Sequence, residues 1–151
     1  NNIKAAKIHS KKNKLKINYI YKDIEKSKLD EKFDIILMFE VLEHLDNWKK
    51  TIKNIKKNLN KNGIVIISTI NRNVISKLFA INIAENILNW IPKGTHDYNK
   101  LIKPEELKNT LSKENFYFSN IRGLVFDPLN WEWKLSKNYT INYFCTANLI
   151  N

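Results

Sequence analysis

The chain has 151 residues, 43% of them hydrophobic, which suits one folded domain and excludes a disordered polymer. Its single cysteine, Cys145, excludes an internal disulfide and fits a reducing compartment. The net charge of +11 would suit an anionic partner, yet all but Arg72 and Arg122 of the 26 basic residues are lysines spread along the chain. Abundant Asn and Ile alongside Lys point to AT-rich codon bias, no nucleic-acid motif is present, and no nucleic-acid partner is expected.

Asn2 to Lys12 reads as the end of a helix, with Ile3 and Ala6 on one side. No secretory signal is visible in this polar, lysine-rich start. Lys16 to Tyr21 alternates and predicts a strand, followed by a charged connection from Ile24 to Lys32. Phe33 to Phe39 is short and apolar, again a strand. Asp46 or Asn47 caps a helix over Trp48 to Leu59, whose Ile52, Ile55 and Leu59 recur at helical spacing. Asn62-Gly63 ends that helix, and Ile64 to Ile70, rich in β-branched residues, predicts a buried strand.

Val74 to Ile91 predicts a helix or helix pair, apolar over more than half its circumference. Lys77, Glu85 and several Asn exclude a comfortable membrane span. Pro92 to Asp97 is a loop. Pro104 opens a helix through Leu111, with Glu105 and Glu106 in its first turn. Phe116 to Phe126 predicts a strand broken by Gly123. Asn130 to Lys134 is either an edge strand or a loop, and Tyr139 to Leu149 is the last strand. Strand–helix–strand order favours a parallel sheet covered on both faces, with an antiparallel hairpin at one edge.

Chemistry concentrates where the Phe33 strand ends in Glu40, Glu43 and His44. At i, i+3 and i+4 these three share one side if Glu40 starts a helical turn. Two carboxylates and an imidazole suit a hard cation such as Mg²⁺, with His44 as ligand or as general base. Capping and loop orientation account for the same residues equally well. His96 and Asp97 form a second polar pair. The three glycines, Gly63, Gly94 and Gly123, are too scattered for a phosphate-binding loop.

The strand ending in Glu40-Val41-Leu42-Glu43-His44, followed by helix, Asn-Gly and strand, resembles the middle of a class I S-adenosylmethionine-dependent methyltransferase. Three further segments resemble the ubiquinone-biosynthesis O-methyltransferases: Ser68-Thr69-Ile70-Asn71-Arg72-Asn73, Pro92-Lys93-Gly94-Thr95-His96-Asp97, and Ile102-Lys103-Pro104-Glu105-Glu106-Leu107. Gly123-Leu124 and Asn142-Tyr143 fit as well.

The resemblance implies an α/β, Rossmann-like sheet in one methyltransferase domain over residues 1–151, with a lipid- or substrate-facing insertion at about 71–100. It implies S-adenosylmethionine as methyl donor, with Phe39 lining its site where the family often has Met. It implies Mg²⁺ held by Glu40, Glu43 and His44. The substrates it implies are polyprenylated phenols and quinols, methylated on ring hydroxyls. It also implies a membrane lipid surface as a peripheral partner, other ubiquinone-biosynthesis proteins as candidate partners, and a place at the cytoplasmic face of the inner membrane or the mitochondrial matrix side.

The family's glycine-rich loop after strand one and the acid ending strand two have no counterpart, so the first strands are expected to be missing. That would leave Lys16 to Tyr21 without a neighbour. The rival expectations are a non-enzymatic membrane-associated subunit and a methyltransferase acting on another small molecule.

Overall fold

A computed structural model describes residues 2–27, 29–78, 97–127 and 129–150. The elements are α1 (Asn2–Lys12), β1 (Phe33–Phe39), α2 (Trp48–Ile55), β2 (Leu59–Ile70), α3 (Val74–Ser76), α4 (Pro104–Lys113), β3 (Phe116–Asp127), β4 (Glu132–Ser136) and β5 (Asn142–Leu149). The strands form one sheet in the order β1-β2-β5-β3-β4. Only β1 and β2 run parallel, joined by the α2 crossover; the other neighbours are antiparallel.

Register assigns each residue to a face. Ile36 pairs with Val65 and Met38 with Ile67, and these continue into Ala147 and Cys145 on β5. Helices α2 and α4 cover this side through Ile52, Ile55, Leu107 and Leu111, all buried in one core with Phe116 and Tyr143. The apolar positions of α4 recur every three to four residues, so one stripe meets the sheet. Asn47 caps α2 by accepting from the Lys50 N–H at 3.0 Å, as expected of an Asn at that position.

Four expectations differ from the structure. Lys16 to Tyr21 forms no strand, because no neighbour supplies hydrogen bonds to it. The α2 helix stops at Ile55, passes through a 3-10 turn at Lys56–Asn58, and Leu59 already belongs to β2. Burying Leu59 against Phe33 outweighs one more helical turn. Between the pairs Phe33–Leu59 and Ile35–Ile64, β1 advances two residues and β2 five, so Asn60 to Gly63 form an irregular excursion rather than a helix cap. The Asn60 amide donates to Asp34 Oδ1 at 2.8 Å and pins it.

The third difference is Gly123, which does not break β3. The strand instead changes partner there, pairing with β5 through Arg122 and with β4 from Gly123 onward. A one-residue bulge precedes the change, with Asn120 in the left-handed region at φ 53°. The last strand is also not the edge. β5 lies between β2 and β3, so the edge hairpin is β3–β4. Asn130 to Lys134 thus resolves into β4, beginning at Glu132.

Most of the Val74 to Ile91 helix and the Pro92 to His96 loop lie outside the described residues. Within them, no helix is long and apolar enough to cross a membrane.

Candidate active site at the C-terminal ends of β1 and β2

Open α/β sheets place ligand chemistry beyond the carboxyl ends of their parallel strands. Here β1 ends at Phe39, and the chain turns sharply because Glu40 adopts φ 50°. That geometry is held from β2. The Glu40 N–H donates to Ser68 O at 3.1 Å and to Ser68 Oγ at 3.2 Å, and Ser68 Oγ donates back to Glu40 Oε1 at 2.8 Å. Leu42, fully buried, then anchors a 3-10 turn over Leu42–His44.

The tight turn splits the trio of Glu40, Glu43 and His44. Glu40 stands before it and is exposed, Glu43 is turned inward, and His44 is exposed on the following residue. Glu40 does not start a helical turn, so the i, i+3, i+4 alignment onto one side does not arise. Among the described residues no group of three His, Cys, Asp or Glu side chains is placed to hold a metal ion.

Glu43 is the unusual member, only 3% exposed. Its Oε2 accepts from Thr69 Oγ1 at 2.9 Å. Its Oε1 is buried without a hydrogen-bond partner among the described residues. A buried carboxylate oxygen left unpaired is costly, and is the kind of atom that a ligand donor satisfies.

Phe39 sits at the end of β1 on the sheet face opposite the core. It is 47% exposed and meets Phe144 edge-to-face at 5.6 Å. Asp97 caps the turn Tyr98–Lys100 by accepting from the Asn99 N–H at 2.9 Å, while His96 lies outside the described residues.

Beyond β2 lies an open recess where two of the quoted segments meet, lined by Asn71, Arg72, Asn73, Val74, Tyr98 and Pro104. Arg72 fixes its wall by pairing with the Glu106 carboxylate and donating to Asn99 O at 3.3 Å. Asn73 caps α3 through the Ser76 N–H at 2.8 Å and donates to Thr140 O at 2.6 Å. These bonds tie the segment after β2 to the entry of β5. Beneath them, Tyr143 Oη donates to Ile102 O at 3.0 Å, and burial pushes the Tyr143 hydroxyl pKa well above its ordinary value. Tyr143 is therefore a structural strut rather than an acid–base group.

The comparisons agree with this architecture. A methyltransferase-domain family model matches residues 4–119. The ubiquinone biosynthesis O-methyltransferase of Rickettsia typhi is 45% identical over 143 residues, covering 95% of this chain and 58% of that protein. The like-named protein of Pelagibacter ubique is 44% identical over 142 residues, covering 94% and 59%. The chain thus spans about three-fifths of the length of the curated relatives it matches. A solved S-adenosylmethionine-dependent methyltransferase from Clostridium acetobutylicum superposes with a TM-score of 0.65 at 13% identity, covering 97% of this chain and 70% of that one. One from Aquifex aeolicus gives 0.64 at 11% identity, covering 98% and 63%. A strand-end turn carrying Glu40, Glu43 and His44, the mixed sheet behind it and these matches lead to one assignment: the chain belongs to the methyltransferase-domain family and has the α/β fold of class I S-adenosylmethionine-dependent methyltransferases.

Proposed function

We propose that this chain supplies the acceptor-substrate side of an S-adenosylmethionine-dependent O-methyltransferase acting on ring hydroxyls of polyprenylated intermediates in ubiquinone biosynthesis. The observation that carries this reading is the 45% identity, across almost the whole chain, to a relative named for that activity.

Methyl transfer to a phenolic oxygen needs three things from the protein: an apolar slot for the sulfonium methyl, an acceptor that orients the hydroxyl, and a route for its proton. Phe39 and Phe144 provide an apolar surface at the strand end. Glu43, fixed by Thr69, offers an oriented carboxylate oxygen toward which a hydroxyl can donate. His44, one residue on and solvent-exposed, is placed to pass a proton outward. S-Adenosylmethionine, when bound, supplies the methyl group.

A Mg²⁺ ion shared by Glu40, Glu43 and His44 does not fit this arrangement. Among the described residues the three do not converge: Glu43 is buried, while Glu40 and His44 are exposed. No step of the proposal runs through a metal. Peripheral contact with lipid, as a polyprenyl tail requires, is proposed for the insertion at about 71–100; Val74, Ile75 and Leu78 at its start are exposed. The inner membrane face is the corresponding location.

The test uses a protein of the relatives' full length bearing this sequence. Methylation of a polyprenylated catechol should exceed that of a short-chain analogue, and Glu43→Gln should lower kcat by about 10²-fold or more, the scale of a lost acid–base or orienting group. Equal rates on both substrates would favour a methyltransferase of another small molecule. Unchanged kcat in Glu43→Gln with retained vesicle binding would favour the non-enzymatic subunit.

A further inference from the structure

The strands β3 and β4 continue as a two-stranded hairpin after the rest of the sheet has ended. Register measures how far. Ile70, the last residue of β2, pairs with Asn142 of β5, and the Leu124 N–H donates to Asn142 Oδ1 at 2.8 Å. Val125 to Asp127 and their β4 partners, Glu132 to Lys134, therefore project past the carboxyl end of β2. That is the end at which β1 delivers Glu40 and Glu43.

Directly paired residues share a face. One face of the hairpin is charged: Lys134, opposite Val125, bonds to Asp127 and Glu132 at 2.8 Å each. The other is apolar, with Phe126 opposite Trp133 and Leu124 opposite Leu135. The Phe126 ring lies 5.2 Å from each of the Trp131 and Trp133 rings. Trp131 is nevertheless 81% exposed and Trp133 62%. Clustered apolar rings left in water mark a binding surface.

The apolar strip does not stop at the hairpin. Leu135 and Phe144 line one cleft with Ile66 and Arg122, and Phe144 meets Phe39 edge-to-face at 5.6 Å. A continuous run thus leads from the end of β1, over Phe144 and Leu135, to Trp133, Phe126 and Trp131. Neighbouring strands lie about 5 Å apart, so a strip two strands wide is a narrow track that suits a chain.

We propose that this track holds the isoprenoid tail of the acceptor, its ring beside Phe39 and Phe144 and its tail running over Leu135 to the two tryptophans. The proposal rests on the reading of the acceptor as a polyprenylated phenol. A hydrocarbon tail gains from burial against apolar side chains and rings, which the track supplies along its length. A bilayer surface suits it less well, because Asp127 and Glu132 outnumber Lys134 in the projecting part and would repel anionic headgroups. Pairing with a second copy along β4 is opposed by Glu132 and Lys134, charged residues of the kind that blunt an edge strand.

The probe is ortho-farnesylphenol, a phenol bearing an isoprenoid tail, added to the 151-residue chain below the concentration at which the probe aggregates. No methyl donor is present, so binding is read independently of methylation. The indole N–H resonances of Trp131 and Trp133 should shift saturably in heteronuclear NMR spectra, and phenol alone should leave them in place. Trp131→Ala and Trp133→Ala should each weaken binding about fivefold or more, the scale of a lost aromatic contact, with the unfolding midpoint unchanged. Tyr117→Ala, removing an exposed ring at the other end of β3, should bind as the parent chain does. In a protein of the relatives' full length, Trp133→Ala should raise KM for the long-tailed acceptor and leave kcat and the short-chain KM unchanged. If the parent full-length protein turned over neither acceptor while the indoles still responded to the probe, the methylation reading would fail and the tail site would stand. Indoles indifferent to the probe, undiminished binding by both tryptophan variants, or a KM change equal for both acceptors would overturn the proposal. So would indole shifts produced by phospholipid vesicles or by raised chain concentration but not by the probe.

Discussion

Thr69 Oγ1 donates to Glu43 Oε2 at 2.9 Å, and this buried bond joins the turn after β1 to the end of β2. Among the described residues it is the polar link that fixes the inward carboxylate, and removing either partner separates its structural part from its chemical part. Thr69→Val keeps the shape and deletes the donor, leaving both carboxylate oxygens unpaired. The expected cost is about 1–3 kcal/mol, the penalty for an unsatisfied buried acceptor. Urea unfolding of the chain measures it, and a change below about 0.5 kcal/mol, within the range of neutral surface substitutions, would show that the link is dispensable.

Gly123 stands where β3 leaves β5 for β4. A Cβ there would lie 1.9 Å from the backbone oxygen of Asn138, which cannot retreat as a side chain would. Gly123→Ala should therefore destabilise by about 1–3 kcal/mol, as forced overpacking does. Thermal denaturation by circular dichroism reads this; an unchanged midpoint would mean that the 138–139 segment is free to move.

Cys145 lies on β5 in the core, and burial pushes its thiol pKa up to about 12. The neutral thiol is favoured, so alkylation by iodoacetamide at pH 8 should follow unfolding rather than direct attack. Between an ordinary thiol pKa and about 12 the unfolded chain releases a proton that the folded chain keeps. Stability from this group is thus complete below about 9, and declines as pH rises toward 12. Rapid stoichiometric labelling of folded chain at pH 8 would contradict this placement.

Asp127, in the β3–β4 hairpin, accepts from the Lys134 ammonium at 2.8 Å, which with Asn130 holds its carboxyl down to about 2. Its contribution to hairpin order is present above the ordinary carboxylate range and is lost as pH falls through about 2. In a Glu132→Gln variant, which removes the second carboxylate on the Lys134 ammonium, the indole resonances of Trp131 and Trp133, which flank Phe126 at 5.2 Å each, should stay constant between pH 7 and 4. A shift in that interval following a single titration would place the Asp127 pKa higher.

The chain holds no glycine-rich turn between a strand and a helix, the usual cradle for the methyl donor's half of such a site. Calorimetry of the 151-residue chain with S-adenosylmethionine should give no micromolar binding isotherm. A clear one-site isotherm in that range would overturn the view that the donor side is incomplete.

The residue pattern by itself determined the fold class, most of the elements, and the strand end at which polar groups gather. β1, β2, α2 and α4 are legible because burial on one face imposes periods of two and of three to four residues. The triad motif and its neighbouring segments likewise identified the family from local sequence. Tertiary structure decided what local pattern cannot encode. Lys16 to Tyr21 has strand alternation but no neighbour, and a strand is defined by the hydrogen bonds a neighbour supplies. β5 slips between β2 and β3 because pairing partners are chosen across the sheet, not along the chain. Glu40 at φ 50° and the 3-10 turn after it send Glu43 inward and His44 outward, although helical spacing would have aligned them. One backbone rotation, held by two hydrogen bonds that the Glu40 N–H donates to Ser68, separates the aligned triad of the sequence pattern from a single buried carboxylate.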